Sequence, residues 1–248
     1  MTATNIDFTT LVAIDKEHRE ELFVAMPGWV KRPAIAEHPI VILYDELQLS
    51  VYDVKNVLAG PACSARIVPV SEVLPARIQQ RGITQRERML SAITYASGRR
   101  DIIQSPKVLK LDTDTAATDQ LHCFTEAWIE GDPVIAAPRW GYTKPGHWID
   151  SLDCWAAIAC PSGGRPERTM AGQIAKSKRI ISYAMLGDVS FIAEALRLAG
   201  DRLPVPSQDT FLWYVAEMLG RRVNRLRPPD VPWRHFGGNL NRMRREIA

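Results

Sequence analysis

The first two-thirds of this 248-residue chain alternate between short apolar runs and charged, helix-like segments, and this alternation restricts the possible folds more than any other feature. The apolar runs predict strands, and the run at residues 39–44 is rich in β-branched residues. They cover residues 9–14, 39–44, 66–70, 107–111 and 133–138. Strands separated by helices at this spacing predict an α/β fold, with a mostly parallel sheet flanked by helices.

Helices are expected between these strands, at residues 15–26, 51–58 and 84–96. The last of these has the clearest signal, because Thr84 can cap it and Glu87 occupies the capping-box position. In the first, Leu22, Phe23 and Met26 fit one apolar helical face.

After about residue 149 the pattern becomes helical, with predicted helices at residues 182–199 and 207–219. We therefore expect one domain over residues 1–248 with a helical C-terminal third. The strand-rich half, residues 8–140, would bind one ligand, residues 141–236 would face another, and residues 237–248 would form a basic tail.

Composition excludes several classes of protein. Apolar residues make up 46% of the chain, but no apolar run approaches the roughly 18 residues of a membrane span. The N-terminus lacks the basic and apolar segments of a secretory signal. The cysteines form no CxxC pair and predict reduced thiols in a soluble, cytoplasmic protein; they are Cys63, Cys123, Cys154 and Cys160.

Charge is unevenly distributed. From Arg221 onward there are eight arginines and two acids, whereas residues 1–220 carry a net charge of −3. This basic tail is typical of a solvated end, of a membrane-surface contact or of a polyanion contact. Asn and Gly residues in the tail argue against an amphipathic helix there.

The sequence Asp112-Thr113-Asp114 follows an apolar strand directly, at residues 107–111. Two carboxylates at positions i and i+2 would leave the sheet together at its carboxyl edge, where open α/β sheets bind ligands. Carboxylate oxygens suit Mg²⁺ or Mn²⁺, and such an ion usually binds phosphate oxygens as well. The motif therefore predicts a metal-dependent site for a diphosphate.

The order of strands and helices leading to KVLKLDTDTAA resembles the GT-A class of nucleotide-sugar glycosyltransferases. The likeness covers about residues 8–140 in layout. It implies a single Rossmann-like domain, a nucleotide-diphosphate sugar donor such as a UDP-sugar, and Mn²⁺ or Mg²⁺ as cofactor. By this resemblance Asp114 coordinates the metal, and Asp112 contacts the metal or the ribose.

The same resemblance assigns further residues to the donor. Ala13, Asp15 and Asp45 follow or end the first two strands, where the class holds the nucleoside. Arg86 and Arg88, on the helix before the motif, are within the expected reach of the donor phosphates. The alternative interpretation of the strand-end residues is that they are simply solvated there. The alternative for the two arginines is that they lie on an exposed face of the helix.

Three residues near the C-terminus complete the predicted site. Asp209, after Gln208, is at the start of a predicted helix, where the class often places an acid facing the acceptor; in an inverting enzyme it would be the general base. His235 would be a further metal ligand, and Arg234 would meet the diphosphate. Helix capping explains Asp209 equally well, and core packing explains His235.

The acceptor is less defined. A loop with three large aromatic residues, at 139–148, would suit stacking on sugars or nucleobases. Some phage GT-A-like enzymes glycosylate hydroxymethylated pyrimidines in DNA, and a basic tail would suit such an acceptor.

Two other functions remain open. A nucleotidyltransferase shares this kind of core, but the segment after the first strand, AIDKEHREE, lacks the usual glycines. A non-catalytic nucleic-acid-binding protein would use the basic tail, yet it leaves the paired aspartates unexplained. The absence of GxGxxG, Walker A and GxSxG motifs disfavours dinucleotide oxidoreductases, P-loop NTPases and α/β-hydrolases.

Overall fold

In the part of the chain that the structure describes, the centre of the fold is a mostly parallel sheet of seven strands. The computed structural model describes residues 6–58, 65–79, 83–117, 133–138, 184–199, 212, 215–216, 219–226 and 233–247. The strands are β1 (Phe8–Ile14), β2 (Ile40–Tyr44), β3 (Ala65–Pro69), β4 (Lys107–Leu111), β5 (Thr115–Ala117), β6 (Ile135–Pro138), β7 (Ala184–Asp188), β8 (Val223–Leu226) and β9 (Trp233–His235). Their order in the large sheet is β3-β2-β1-β4-β7-β6-β8, and β5 and β9 form a separate pair.

β1 lies between β2 and β4 and runs parallel to both. The carboxyl ends of these three strands therefore meet at one edge of the sheet. An aspartate follows each strand at this edge: Asp15 after β1, Asp45 after β2 and Asp112 after β4. β7 is antiparallel to its neighbours β4 and β6, while β6 and β8 are parallel.

Helices cover both faces of this sheet. They are α1 (Arg19–Val30), α2 (Pro33–Ala36), α3 (Val51–Leu58), α4 (Val70–Val73), α5 (Ala76–Gln79), α6 (Gln85–Ser97), α7 (Val189–Ala199) and α8 (Leu240–Ile247). Helices α4, α6 and α7 share one apolar core, to which β1 contributes Leu11. Helices α1, α3 and α8 share the other, to which β1 contributes Val12 and Ile14.

Two close contacts fix helices in these layers. The fully buried Trp29 of α1 donates a hydrogen bond from Nε1 to the carbonyl oxygen of Thr115, at 2.7 Å. Gly98 ends α6 so close to α7 that a Cβ there would lie 2.8 Å from Cδ1 of Leu196 and 3.1 Å from the nitrogen of Ala193. A larger residue at this position would push the two helices apart.

The structure confirms the α/β fold and the mostly parallel sheet, but it corrects the C-terminal third. Ala184–Asp188, expected to be helical, is strand β7, and strands β8 and β9 also lie in this third. Because β7 is central, Met185 and Leu186 are buried on opposite faces of the sheet. A strand buried on both faces has a continuous apolar sequence that periodicity cannot distinguish from a buried helix.

Two local expectations were also wrong. Phe23 does not share the buried face of Leu22 and Met26, because 56% of its surface is exposed. The tail does form an amphipathic helix, α8, since Gly237 and Gly238 lie before it rather than inside it. Its Met243 is buried against the body of the protein, and Arg244 pairs with Glu20 of α1 at 3.0 Å.

Within the ranges described above, no helix combines the length and the apolar composition that crossing a bilayer requires.

The capping box of α6 gives a stability prediction. Thr84 accepts a hydrogen bond from the Glu87 backbone, and its own backbone donates to Glu87 Oε2 at 2.7 Å. We expect Thr84→Ala to lower the free energy of unfolding by about 1 kcal/mol, since a helix donor loses its partner. Urea denaturation measures the change. Glu87→Gln, which keeps an acceptor oxygen, should cost less, and a Thr84→Ala protein as stable as the wild type would contradict the cap.

Candidate functional site

The two aspartates of the motif stand at the carboxyl edge of the sheet, between β4 and β5. The Asp112 side chain is 38% exposed, and its Oδ1 lies 2.5 Å from Nζ of the buried Lys110. Asp114 is buried, and its Oδ2 accepts a hydrogen bond from the Gly238 backbone at 2.6 Å. The Asp112 carboxylate therefore faces outward, while the Asp114 carboxylate is hydrogen-bonded to the C-terminal segment, by which we mean residues 233–247.

A cavity of about 600 Å³ opens beside this motif, and we refer to it as the edge cavity. It lies between the ends of β1 and β4, the start of α1, one side of α6 and the glycines before α8. Its lining residues are Ala13, Asp15, Glu17, His18, Glu21, Gln85, Arg86, Met89, Leu90, Ile93, Leu111, Asp112, Thr113, Asp114, Gly237 and Gly238.

The C-terminal segment closes one side of the edge cavity. β9 pairs with β5 in an antiparallel register that sets His235 opposite Thr115, and the Phe236 backbone donates to the Asp114 carbonyl oxygen at 3.0 Å. The chain then turns through Gly237 and Gly238, whose φ angles of 61° and 75° are unfavourable for other residues. This turn brings the Gly238 N–H to the Asp114 carboxylate.

Glu21 of α1 is a site residue that the sequence did not reveal. It is 8% exposed, and its Oε2 accepts a hydrogen bond from the Thr113 hydroxyl at 2.6 Å. Burial raises the pKa of the Glu21 carboxyl, and the charges of Asp114 and Asp112 add to this, against the Thr113 hydrogen bond and His18, which lower it. Glu21, Asp112 and Asp114 thus form a group of three neighbouring acids in the edge cavity.

Asp15 and His18 form a second polar group in the edge cavity. Asp15 Oδ1 accepts the backbone N–H groups of Glu17 and His18 at 3.0 and 2.9 Å, and His18 Nδ1 lies 2.6 Å from the same oxygen. Gln85 of α6 donates to Asp15 Oδ2 at 3.2 Å. Asp15 therefore holds the turn between β1 and α1, and it places the imidazole of His18 in the edge cavity.

Asp45 follows β2, as expected, and Arg88 of α6 contacts it. Asp45 is 1% exposed, and Arg88 donates from Nε to its Oδ1 at 3.3 Å and also bonds Glu46. These two residues are not among those that line the edge cavity. Their pairing fixes α6 to the end of β2, whereas the exposed Arg86 does line the edge cavity.

The other predicted residues are only partly described. The backbones of Arg234 and His235 belong to β9, next to the motif, while their side chains lie outside the described part of the structure. Asp209, the predicted aromatic acceptor loop at 139–148 and the four cysteines also lie outside the described residues.

The chemistry of the edge cavity fits a divalent cation together with a phosphate ligand. Asp112 and Asp114 supply the hard carboxylate oxygens that Mg²⁺ and Mn²⁺ take. Among the described residues, no cluster of three or more His, Cys, Asp or Glu side chains has the geometry of a complete metal site. At phosphate sites Mg²⁺ usually takes one or two carboxylates together with waters and phosphate oxygens, which is the kind of coordination that Asp112 and Asp114 could begin.

No protein-family profile matches the chain, and no curated protein matches it by sequence. Solved structures, by contrast, match its fold. Core-mannan synthase A from Aspergillus fumigatus, in its Mn/GDP form, is 12% identical with a TM-score of 0.58, over 92% of this chain and 74% of that one. Galactosyltransferase LgtC, in complex with donor and acceptor sugar analogues, is 15% identical with a TM-score of 0.51, over 88% and 72%. Both are GT-A glycosyltransferases. This chain has their fold.

A third similar structure is not a glycosyltransferase by name. It is 4-diphosphocytidyl-2C-methyl-D-erythritol synthase from Anaerococcus prevotii, 13% identical with a TM-score of 0.55, and the match covers 97% of this chain and 98% of that one. The resemblance to the GT-A class stated from the sequence is therefore confirmed for the fold, which this synthase shares.

The Asp15–His18 pair predicts a pH dependence of stability. Burial opposes a charged imidazole, but the hydrogen bond and charge of Asp15, together with Glu21 and Glu17, outweigh it and raise the pKa of His18 above 6.5. The charged imidazole therefore stabilises the folded protein fully at pH values below 6.5, and this stabilisation is lost as pH rises through the raised pKa of His18. We expect His18→Gln to lower the melting temperature more at about pH 5.5 than at about pH 8.5.

His38 provides a control of opposite sign. It stacks on Phe8, and burial lowers its pKa below 6.5. The folded protein therefore loses stability as pH falls, and the difference between wild type and His38→Gln should grow with increasing pH. A His18→Gln difference that stays constant with pH, or follows the trend of His38→Gln, would contradict the Asp15–His18 ion pair.

Proposed function

We propose that this protein is a metal-dependent glycosyltransferase, which moves a sugar from a nucleotide-diphosphate sugar to an acceptor hydroxyl. The observation that carries the proposal is the position of Asp112 and Asp114 at the carboxyl edge of β4, beside a cavity large enough for a ligand. The fold shared with GT-A glycosyltransferases supports it.

In this proposal the edge cavity binds the donor. Asp114, with Asp112, holds Mn²⁺ or Mg²⁺, while the Arg86 guanidinium and the His18 imidazole face the diphosphate. Ala13 and Asp15 lie beside the nucleoside, which we propose to be uridine. We propose no donor contact for Asp45 and Arg88, because they neutralise each other outside the edge cavity.

The chemistry follows from these positions. When bound, the cation neutralises charge that builds on the diphosphate as it leaves the sugar. The C-terminal segment, with Arg234 and His235 beside the motif, covers the donor and limits its hydrolysis by water. Asp209 takes the proton of the acceptor hydroxyl as that oxygen attacks the anomeric carbon.

The acceptor would be bound by the second half of the chain. We assign donor binding to residues 8–140, acceptor binding to residues 141–236 and closure of the site to residues 237–248. Hydroxymethylated pyrimidine in DNA is the acceptor we propose to test first, because of the basic C-terminal region. Two of its arginines already pair with acids of this chain, Arg244 with Glu20 and Arg242 with Glu246, which leaves less charge for DNA.

Nucleotidyl transfer is the second candidate, favoured by the match over nearly the whole length of a synthase named for a diphosphocytidyl product. Such a reaction needs room for a triphosphate after the first strand. Here residues 15–18 form a tight turn on the Asp15 carboxylate that leads directly into α1, without a glycine-rich loop. Glycosyl transfer therefore has the stronger support.

A ligand screen distinguishes the candidates. Thermal shifts with UDP, GDP and CDP, their sugars, and CTP, each with and without Mn²⁺, should give a metal-dependent stabilisation with one nucleoside diphosphate. With the matching sugar nucleotide, the products should be that diphosphate and free or transferred sugar. Pyrophosphate released from CTP would favour nucleotidyl transfer instead.

A pair of variants tests the role of the motif. Asp114→Asn should abolish the Mn²⁺-dependent shift and reduce turnover of the donor at least about 100-fold, because a carboxylate ligand is lost. Asp101→Asn is the matched control: it makes the same change at an exposed aspartate that pairs with Arg99 outside the edge cavity. Full activity of Asp114→Asn would exclude the proposed metal site.

A further inference from the structure

Glu21 has a contact that the proposed function does not use. It comes from the first turn of α1, and it reaches the middle residue of the Asp112-Thr113-Asp114 motif across 92 residues of sequence. The contact is a buried side-chain hydrogen bond of 2.6 Å, with the Thr113 hydroxyl as donor. Both residues are nearly inaccessible, with 8% of Glu21 and 4% of Thr113 exposed.

A carboxylate is a costly choice for this contact. Burial of an ionised group is unfavourable, and here Asp112 and Asp114 add two like charges nearby. A neutral acceptor would anchor a threonine hydroxyl at lower cost. What a carboxylate can provide in its ionised form is strength, because hydrogen bonds to charged groups are shorter and about twice as strong as neutral ones.

The bond acts at the centre of the motif. With its hydroxyl held by Glu21, Thr113 cannot rotate freely, so the backbone on both sides is held in one orientation. That backbone carries Asp112 and Asp114, one residue away in each direction. A second contact from the same helix, from Trp29 to the Thr115 carbonyl oxygen, secures the chain just beyond the motif. Helix α1 thus holds the aspartate turn at two points.

Direct coordination of a cation by Glu21 has less support. Glu21 Oε2 is engaged with Thr113, and no trio of acids in the described ranges has the geometry of a metal site. The effect of Glu21 on a ligand would therefore pass through Thr113.

We infer that Glu21 is a positioning residue for the cation site: its hydrogen bond to Thr113 presets the separation and direction of the Asp112 and Asp114 carboxylates. This inference rests on the proposed function, since it assigns a role towards the cation that the two aspartates would hold. Two carboxylates that are already held in the binding geometry lose little conformational freedom when the cation binds, and they therefore bind it more tightly.

A double-mutant cycle on the full chain tests the inference, with Mn²⁺ alone as the probe. Free Mn²⁺ is measured by electron paramagnetic resonance for the wild type, Thr113→Val, Glu21→Ala and the double variant. Thr113→Val keeps the shape and removes the donor, and we expect about tenfold weaker Mn²⁺ binding. The double variant should bind no more weakly than Glu21→Ala alone, because both changes break the same bond.

Two conservative variants separate positioning from charge. Thr113→Ser keeps the hydroxyl and should retain the affinity of the wild type. Glu21→Gln keeps an acceptor oxygen but loses the charge, and it should bind Mn²⁺ more tightly than Thr113→Val. If charge alone mattered, Glu21→Gln would be as weak as Glu21→Ala, whereas Thr113→Val would match the wild type. Unfolding temperatures confirm that each variant is folded, and Glu21→Leu, which has no acceptor oxygen and leaves a smaller cavity, replaces Glu21→Ala in the cycle if the alanine variant does not fold.

The outcomes distinguish this inference from the proposed function. A wild type that binds Mn²⁺, with additive losses in the cycle or no loss in Thr113→Val, would overturn the positioning role and leave the proposed function standing. A wild type that binds no Mn²⁺, either alone or in the presence of UDP, GDP or CDP, would overturn the metal-dependent function, and the positioning role with it; if Mn²⁺ binds only with one of these diphosphates, the cycle is measured in its presence. Tenfold weaker, non-additive losses with rescue by Thr113→Ser would support the inference.

Discussion

The parallel pairing of β1 with β4 is the constraint on which the site depends. Its register runs from Phe8 opposite Lys107 to Val12 opposite Leu111. Strands aligned in this direction end at the same edge, so the turn after β1 and the motif after β4 face each other. The edge cavity exists because α1 and α6, which pack on opposite faces of the sheet, both extend beyond that edge.

The C-terminal segment adds a second constraint, which acts on the motif itself. β9 pairs with β5 immediately after Asp114, and the turn at Gly237 and Gly238 gives the Asp114 carboxylate a backbone donor. Helix α8 then anchors the segment on α1 through the buried Met243. The first helix and the last segment of the described chain therefore meet at the same carboxylates, which makes the motif the point where three parts of the fold join.

The sequence predicted the features whose signals are local. Strand β4 was recognised as a short run with three apolar residues, Val108, Leu109 and Leu111, and the aspartates after it stood out because they follow the carboxyl end of a strand, where open α/β sheets bind ligands. The capping box of α6 also depends only on neighbouring residues, and the structure has it. Strand β7 was missed because it lies inside the sheet, between β4 and β6, and the apolar cores on both sides of the sheet bury both of its faces, which removes the alternation that marks a half-buried strand.

Glu21 and His18 were not found because nothing local distinguishes them. The segment DKEHREEL contains four acids, of which Glu20 pairs with Arg244 on the surface while its neighbour Glu21 is buried against Thr113. Only the packing of α1 decides which of the two faces the edge cavity. For Arg88 the reverse holds: its charge suggested phosphate binding, but Asp45 and Glu46 neutralise it. Charged residues in helices acquire their roles from the tertiary structure.

The central claim is that the motif binds a cation and a diphosphate together at the carboxyl edge of the sheet. Anomalous diffraction from crystals grown with Mn²⁺ and the nucleoside diphosphate chosen by thermal shift tests it most directly. We predict one manganese peak within coordination distance of Asp114, with the diphosphate between the metal and the start of α1. A nucleotide bound elsewhere, or bound in the edge cavity without manganese beside Asp112 and Asp114, would contradict the account.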